Sequence, residues 1–445
     1  MKILLISPDI PFPHVSDRWF AIPQLSLPII AALTPSHHHV CIAEEPRDKI
    51  PRDEQWDVVG ITSMTNNIFR AYQLADDFKK RGSVVVMGGI HPSCLPDEAL
   101  RHADAVVIGE AEGVWREILN DVERRSLKKT YISEKSDPLA IPIPWKPKRR
   151  LISAIIPQLV PTMTSRGCPH DCEFCSVNIV HGRVNRRLPI DRILEDVKRY
   201  RGQRLFFVDD NIGASRAFAL EVFRAITPLK VRWVGEATVK FLLDEELFHA
   251  ALESGLDGLF VGLESVEPGA FQEMRKLPST ISEVEEAIRR AREAGIVFHA
   301  SLVFGMDSQS KLVFEHTLDF LERNAVPSIS ACMLTPYPGT RLFSRLEKEN
   351  RILHKNWSYY DHNMICFRPL IMEPEELAER YLDFMRRIFS WPSIVRRSRG
   401  WMRSMPWVIL GGNYLKHMNV PRMKRRYKAY FEWLKRSGES YGRGA

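Results

Sequence analysis

Cys168, Cys172 and Cys175 crowd three thiols into eight residues, inside the run Thr164-Ser-Arg-Gly-Cys168-Pro-His-Asp-Cys172-Glu-Phe-Cys175. Three thiolates at this CxxxCxxC spacing can hold three irons of a [4Fe-4S] cubane and leave the fourth iron open. An open iron can chelate the amino and carboxylate groups of a methionine moiety. An electron passed into the adjoining sulfonium then breaks a C–S bond and releases a radical. Zinc is the competing metal, but it normally wants a fourth ligand in a tetrahedron. His170 lies inside the loop, badly placed for that, and His181 is the other candidate. The remaining cysteines, Cys41, Cys94, Cys332 and Cys366, are scattered. An odd total of seven with three clustered argues for a metal site in a reducing compartment, not a disulfide framework.

Carboxylates recur at the ends of apolar runs. Phe206-Phe207-Val208 leads into Asp209-Asp210-Asn211, WVGEAT carries Glu236, and Gly262-Leu-Glu264-Ser265 closes another run. A glutamate in such a setting needs a partner, either a ligand or a structural ion pair. For Asn211 and Ser215 a helix N-cap is the alternative. Thr335-Pro-Tyr337-Pro-Gly339-Thr340 offers Tyr337 to a substrate, although a Pro-Gly turn explains most of that segment.

These residues need a frame. Residues 2–7, 58–63, 84–87 and 105–108 are strand candidates, with helical patterns at 68–81 and 115–124, which predicts a parallel doubly wound domain over 1–125. Residues 126–157, with Pro138, Pro142, Pro144 and Pro147, read as a linker. A second alternation then begins. Strand candidates at 159–165, 204–209, 231–236, 257–263, 297–304 and 328–334 are separated by helical patterns at 190–200, 243–254, 281–294 and 311–324. Six β/α units predict a partial barrel over 158–342, with the cysteine loop at the mouth where barrel sites sit. Residues 343–445 are expected to be mainly helical, starting with a charged helix at 374–387.

The length of 445 residues suffices for two or three domains, and the composition of 44% hydrophobic and 27% charged residues is that of a globular chain. No run approaches the roughly 20 apolar residues of a spanning helix. The opening MKILLISPDI reads as a strand, not a signal peptide, so a cytoplasmic location is expected. The net charge of +8 belongs to the tail: residues 391–445 hold 13 Lys/Arg against Glu432 and Glu439, so the preceding residues sum to −3. Aromatic residues interleave that basic stretch, among them Trp391, Trp401, Trp407, Tyr414, Tyr427, Tyr430 and Trp433. Three readings follow: a helical subdomain with aromatics inside, peripheral contact with an anionic membrane surface, or RNA. The first two are favoured, and no nucleic-acid partner is expected.

The cysteine loop, with Phe174 before its last cysteine and a strand before the loop, resembles the radical SAM superfamily signature. The resemblance implies a [4Fe-4S] cluster on Cys168, Cys172 and Cys175, with Phe174 near the adenine of S-adenosylmethionine (SAM). It implies that Asp209, Asp210 and Asn211 replace the usual Gly-Gly-Glu that receives the methionine ammonium. Their carboxylates would make charge-assisted hydrogen bonds to it. Glu264 and Ser265 are expected around the SAM ribose and carboxylate, and Glu236 is a further candidate for cofactor binding. Residues 1–125 resemble the cobalamin-binding domain fused ahead of such barrels, through Gly60–Ser63, Gly88-Gly89-Ile-His91-Pro92 and Asp104 to Glu112. Ser63, Gly88, Gly89, Gly109 and Glu110 are the expected cobalamin contacts. No Asp-x-His-x-x-Gly run is present, so histidine ligation of cobalt is not expected.

The fold class implied is α/β: a Rossmann-like cobalamin-binding domain, a partial (β/α)6 radical SAM barrel and a helical C-terminal region. The implied activity is that of a class B radical SAM methylase, a cobalamin-dependent methyltransferase. It would methylate an unactivated carbon or phosphorus centre of a lipid, tetrapyrrole or natural product, with an electron carrier such as flavodoxin or ferredoxin as reductant. The alternatives are a radical SAM enzyme that cyclises, hydroxylates or transfers the 3-amino-3-carboxypropyl group of SAM, with an empty first domain, and a zinc-bearing RNA-binding protein.

Overall fold

A computed structural model describes residues 1–12, 24–133, 135–145, 159–275, 279–401 and 406–437. The first sheet holds six parallel strands: β1 Lys2–Ser7, β2 His39–Glu44, β3 Val58–Thr62, β4 Val84–Gly88, β5 Ala105–Ile108 and β6 Thr130–Ile132, in the order β2-β1-β3-β4-β5-β6. Ile3 to Ile6, Val58 and Val59 are buried, as expected of strands covered on both faces by helices. Two strands depart from the sequence reading. β2, which His39 opens, lies where the sequence reading placed no strand, and β6 pairs with β5 inside the stretch read as linker. Both are mostly not fully buried, and pairing with β1 and β5 fixes them as strands. Residues 146–157 of that stretch lie outside the described residues.

The second sheet is the partial barrel. Its strands are β7 Leu159–Thr162, β10 Arg204–Phe207, β11 Arg232–Ala237, β12 Leu256–Glu264, β13 Val297–Phe304 and β14 Ser328–Met333, all parallel and in sequence order around the barrel. All six strand positions read from the sequence carry strands. A short antiparallel pair, β8 Ser165–Arg166 and β9 Arg186–Arg187, brackets the cysteine loop. Helix signals are local and strong here. Thr280 and Glu283 form a reciprocal capping box at the start of Ile281–Ala294, and Gly295 ends it in the left-handed conformation.

Strand period divides the barrel's faces. In β13 Phe298, Ala300, Leu302 and Phe304 are buried, while His299, Ser301 and Val303 alternate on the other face, toward the lumen. Phe260 lies against His299 with centroids 4.7 Å apart, and the His299 ring nitrogens bond Ser328 and Ser330.

The C-terminal region closes on the barrel. Its helices are Pro374–Ile388, Trp391–Ser398 and the long tail helix Pro406–Ser437. Arg397 is fully buried and donates to the carbonyls of Val326 and Ile388, and Trp401 Nε1 donates to Ala325 O. Tyr427 and Tyr430 of the tail helix are buried, while Trp391 and Tyr414 stay exposed. Packing therefore accounts for part of the tail's aromatic content; the side chain of Trp407 lies outside the described residues. Among the described residues no helix is long and apolar enough to cross a membrane.

Candidate functional site

The cysteine loop hangs between β8 and β9 and is tied down from several sides. Asp209 is buried and accepts from Thr164 N and Ser165 N and from both their hydroxyls, at 2.6–2.9 Å. This corrects the expectation that Asp209 faces the SAM ammonium: its acceptor capacity is spent on the chain entering the loop. Asp210 accepts from Gly167 N at 2.9 Å. Between the cysteines, Asp171 receives Arg341 at 2.7 Å and Glu173 receives Arg345 at 2.8 Å, so the helix Arg341–Lys348 grips the loop from outside. Gly167 has φ +86°, and a Cβ there would lie 2.4 Å from Val184 O, so only glycine permits this approach.

Cys168, Cys172 and Cys175 are each partly buried, and none forms a disulfide. Burial, with Cys172, Cys168 and Asp210 nearby, pushes the Cys175 thiol up to about 12. Three soft sulfur donors in one loop, whose thiolates need a cation to form, fit a [4Fe-4S] cluster held through three irons. His181 Nδ1 lies 2.9 Å from Glu110 Oε1, which engages it away from a fourth-ligand role. Phe174 packs against the small apolar cluster of Phe271, Met274 and Met306.

Across the barrel mouth three carboxylates converge. Glu236 at the end of β11 is solvent-accessible through the lumen, yet burial, with Asp210 and Glu264 close by, pushes its carboxyl up to about 7. Glu264 is buried and holds φ +59°, a rare backbone conformation for a non-glycine residue. A concentration of negative charge facing a cavity favours a cationic ligand. Ser265 Oγ accepts from Glu267 N and Gln309 Nε2, and Asn211 Oδ1 accepts from Gly213 N. Asn211 thus closes a turn onto Gly213 and does not cap the helix Arg216–Ile226, whose N-cap Ser215 makes no side-chain cap bond, while Ser265 joins its own turn to Gln309 beyond β13. Tyr337 donates to or accepts from His362 Nε2 at 3.0 Å, and burial pushes its hydroxyl well above the usual phenol range.

The first domain meets the loop at its strand ends. A cavity of about 310 Å³ lies over the C-terminal edges of β1, β3, β4 and β5, lined by Ser63, Gly88, Gly89, Gly109 and the apolar Leu27, Ile30 and Trp115, and closed by Arg166, Val180 and His181 of the barrel. Ser63 Oγ is buried without a hydrogen-bond partner, a group that a ligand would satisfy. Gly89 has φ +102°, and a Cβ on it would sit 2.5 Å from Ser63 O, so the glycine leaves the backbone open to close approach. An apolar slot with a waiting hydroxyl at the carboxyl edge of a parallel sheet fits a large cofactor such as cobalamin.

Glu110, expected as a cofactor contact, lines this cavity and is also engaged by the barrel. It pairs with Arg186, His181 and Arg166. Burial works to raise its carboxyl, but the bonds from His181 and Arg186 and the charge of Arg166 hold it well below the usual carboxylate range. Arg166 also meets Glu112 at 2.6 Å. The sequence reading did not single out Arg166, Arg186 or His362; an arginine beside the Gly-Cys start of the loop was the available signal for the first.

The sequence profile of the radical SAM superfamily matches residues 162–321, that of the B12 binding domain residues 30–119, and that of a domain of unknown function (DUF4070) residues 340–431. The chain is 30% identical over 422 residues to bacteriochlorophyllide d C-12(1)-methyltransferase of Chlorobaculum tepidum, covering 92% of this chain and 91% of that one. It is 25% identical over 410 residues to hopanoid C-2 methylase of Rhodopseudomonas palustris, covering 87% and 75%. Among solved structures, it resembles the cobalamin-dependent SAM radical enzyme OxsB with a TM-score of 0.67 at 14% identity, over 98% of this chain and 80% of that one. It also resembles the radical SAM methyltransferase TsrM of Kitasatospora setae, with a TM-score of 0.66 at 15% identity over 78% of each.

Proposed function

This chain belongs to the radical SAM superfamily, in the branch that carries a B12 binding domain ahead of the barrel, and from that premise we propose that it is a cobalamin-dependent methyltransferase acting on a small, largely apolar molecule. The observation that carries the reading is the arrangement of two cavities' worth of cofactor residues across one interface. The cysteine loop and the Ser63–Gly89 slot face each other through Arg166 and His181. When bound, the cluster supplies the electron for reductive SAM cleavage to a 5′-deoxyadenosyl radical, and cobalamin carries the methyl group to be delivered.

The chain's own residues bind and orient. Cys168, Cys172 and Cys175 hold the cluster, and Asp209, Asp210, Arg341 and Arg345 fix the loop that presents them. Glu236 and Glu264, with Asp210 behind them, receive the cationic SAM, while Phe174 and Ser265 border it. Ser63, Gly88, Gly89 and Gly109 cradle cobalamin. Tyr337 and its partner His362 face the substrate side of the mouth. The relatives named above methylate a tetrapyrrole and a hopanoid, which supports a tetrapyrrole or polycyclic lipid as substrate class. The reductant is a small electron carrier of the flavodoxin or ferredoxin kind. Exposed Trp391, Val395, Tyr414 and Met418 cluster on two neighbouring helices, with the rings of Trp391 and Tyr414 6.0 Å apart. This patch on a basic segment supports peripheral contact with an anionic membrane, read by flotation with phosphatidylglycerol vesicles.

Anaerobic reconstitution with iron, sulfide and SAM, with dithionite as the electron source and with or without hydroxocobalamin, tests the reading. S-adenosylhomocysteine together with 5′-deoxyadenosine, formed only with hydroxocobalamin, is the expected result. Methylthioadenosine as the sole SAM product would overturn methylation in favour of 3-amino-3-carboxypropyl transfer.

A further inference from the structure

A second cavity, of about 330 Å³, opens beside the last barrel strand. Its floor is β14, through Ser330 and Cys332, whose alternation puts them on the lumen side with His299. Its rim is His362, the residue hydrogen-bonded to Tyr337 Oη just past the end of β14. Its roof is the tail helix, through Lys416 and Met423. Two domains and the tail therefore meet around one space, with Phe12 and Asn66 of the first domain completing it.

The walls have a definite chemistry. Met385, Phe389 and Met423 give apolar surface, and methionines adapt their shape to a ligand. Lys416 brings the one ammonium among the described residues that line the cavity. Its Nζ donates to Ile329 O and reaches Ser330 Oγ, 5.7 Å from the centre of the Phe389 ring. The opposing charge at the wall, Asp361, is already matched by Arg426 at 2.5 Å. The positive charge of Lys416 is also felt inside the barrel, at His299 and Cys332, and Cys332 is within electrostatic reach of Glu264 at the mouth. His362 holds φ +64°, a conformation kept only where its surroundings impose it.

We infer that this cavity is the substrate pocket, that it takes an apolar small molecule bearing one anionic group, and that Lys416 of the tail helix receives that group. The inference rests on the methyltransferase reading for its chemistry, but not for its test. The C-terminal helix thus serves as the specificity element, lying over β14 to read the substrate's charge. The apolar body lies along Met385, Phe389 and Met423 and extends past Cys332 toward the barrel mouth.

Displacement of anilinonaphthalene sulfonate from the full-length protein by dodecanoate or by dodecanol reads the pocket directly. Wild type is expected to bind dodecanoate more tightly than dodecanol. Lys416→Met is expected to weaken dodecanoate about tenfold, the worth of one charge-assisted hydrogen bond, and to leave dodecanol unchanged. Lys416→Arg should restore the preference. Met423→Trp, which fills the apolar wall, should weaken both ligands, and it carries the test if Lys416→Met does not fold. Failure of wild type to bind either ligand overturns the inference, as does binding that neither Lys416→Met nor Met423→Trp alters. SAM cleavage by the reconstituted protein is measured in parallel. Ligand binding without formation of S-adenosylhomocysteine and 5′-deoxyadenosine refutes the methyltransferase reading and leaves the pocket standing; formation of both without ligand binding does the reverse.

Discussion

Glu236 stands at the end of β11 with its side chain open to the lumen and two other carboxylates near it. Burial and that company raise its carboxyl to about 7, so below this pH it is neutral and above it the mouth gains a negative charge. A cationic ligand prefers the ionised form, so SAM affinity should rise as pH increases through about 7. In Glu236→Gln the affinity should be lower at pH 8 and flat across the same range, as measured by equilibrium dialysis. The stability sign is opposite. A folded-state value above the ordinary 4.5 means the folded protein binds the proton more tightly, so stability contributed by this group declines as pH rises from about 4.5 to 7. Asp209 shows how residue type and residue task separate. As an acid after an apolar strand it was legible as a site residue, yet its four donors come from Thr164 and Ser165, and its work is to hold the loop.

The elements succeed or fail as frames through their turns. β4 ends in Gly88 and passes to the short helix Ile90–Cys94 through Gly89 at φ +102°. Its missing side chain leaves Ser63 O and Ser63 N room, and both are backbone atoms that cannot move aside. Gly89→Ala is expected to cost about 1–3 kcal/mol of stability and to abolish cobalamin uptake while leaving iron content unchanged. Visible absorption after reconstitution, beside iron analysis and thermal unfolding, checks all three. The barrel strands were legible because each is an apolar run between helical periods. β2 and β6 were not, because HVCIAE and TYI owe their strand state to β1 and β5 alongside them.

At the scale of the molecule, one carboxylate joins first domain to barrel. Glu110 is buried, and Arg186, His181 and Arg166 all reach it from the barrel side. Removing one partner from such a cluster strands the others' charge in low dielectric. Glu110→Ala is therefore expected to cost about 3–5 kcal/mol, seen as a lowered unfolding midpoint and as proteolytic nicking between the domains. The tail has a comparable role at the far side, where Arg397 and Trp401 lock onto the carbonyls that precede β14.

The sequence alone determined the clustered cysteine loop, the two alternations of strand and helix, and the basic character of the tail. Ligand spacing, hydrophobic period and charge are local properties, readable within a few residues. What the tertiary structure decided was the partner of each polar side chain. Asp209 meets Thr164 across 45 positions, Arg186 meets Glu110 across 76, and Lys416 meets Ser330 across 86. No local pattern encodes such pairings, because they arise only when packing brings distant elements to one surface. The structure thereby turned an expected SAM ligand into a loop clamp, gave Glu110 at the first cavity a second task as domain joint, and made part of a basic tail the roof of a second cavity.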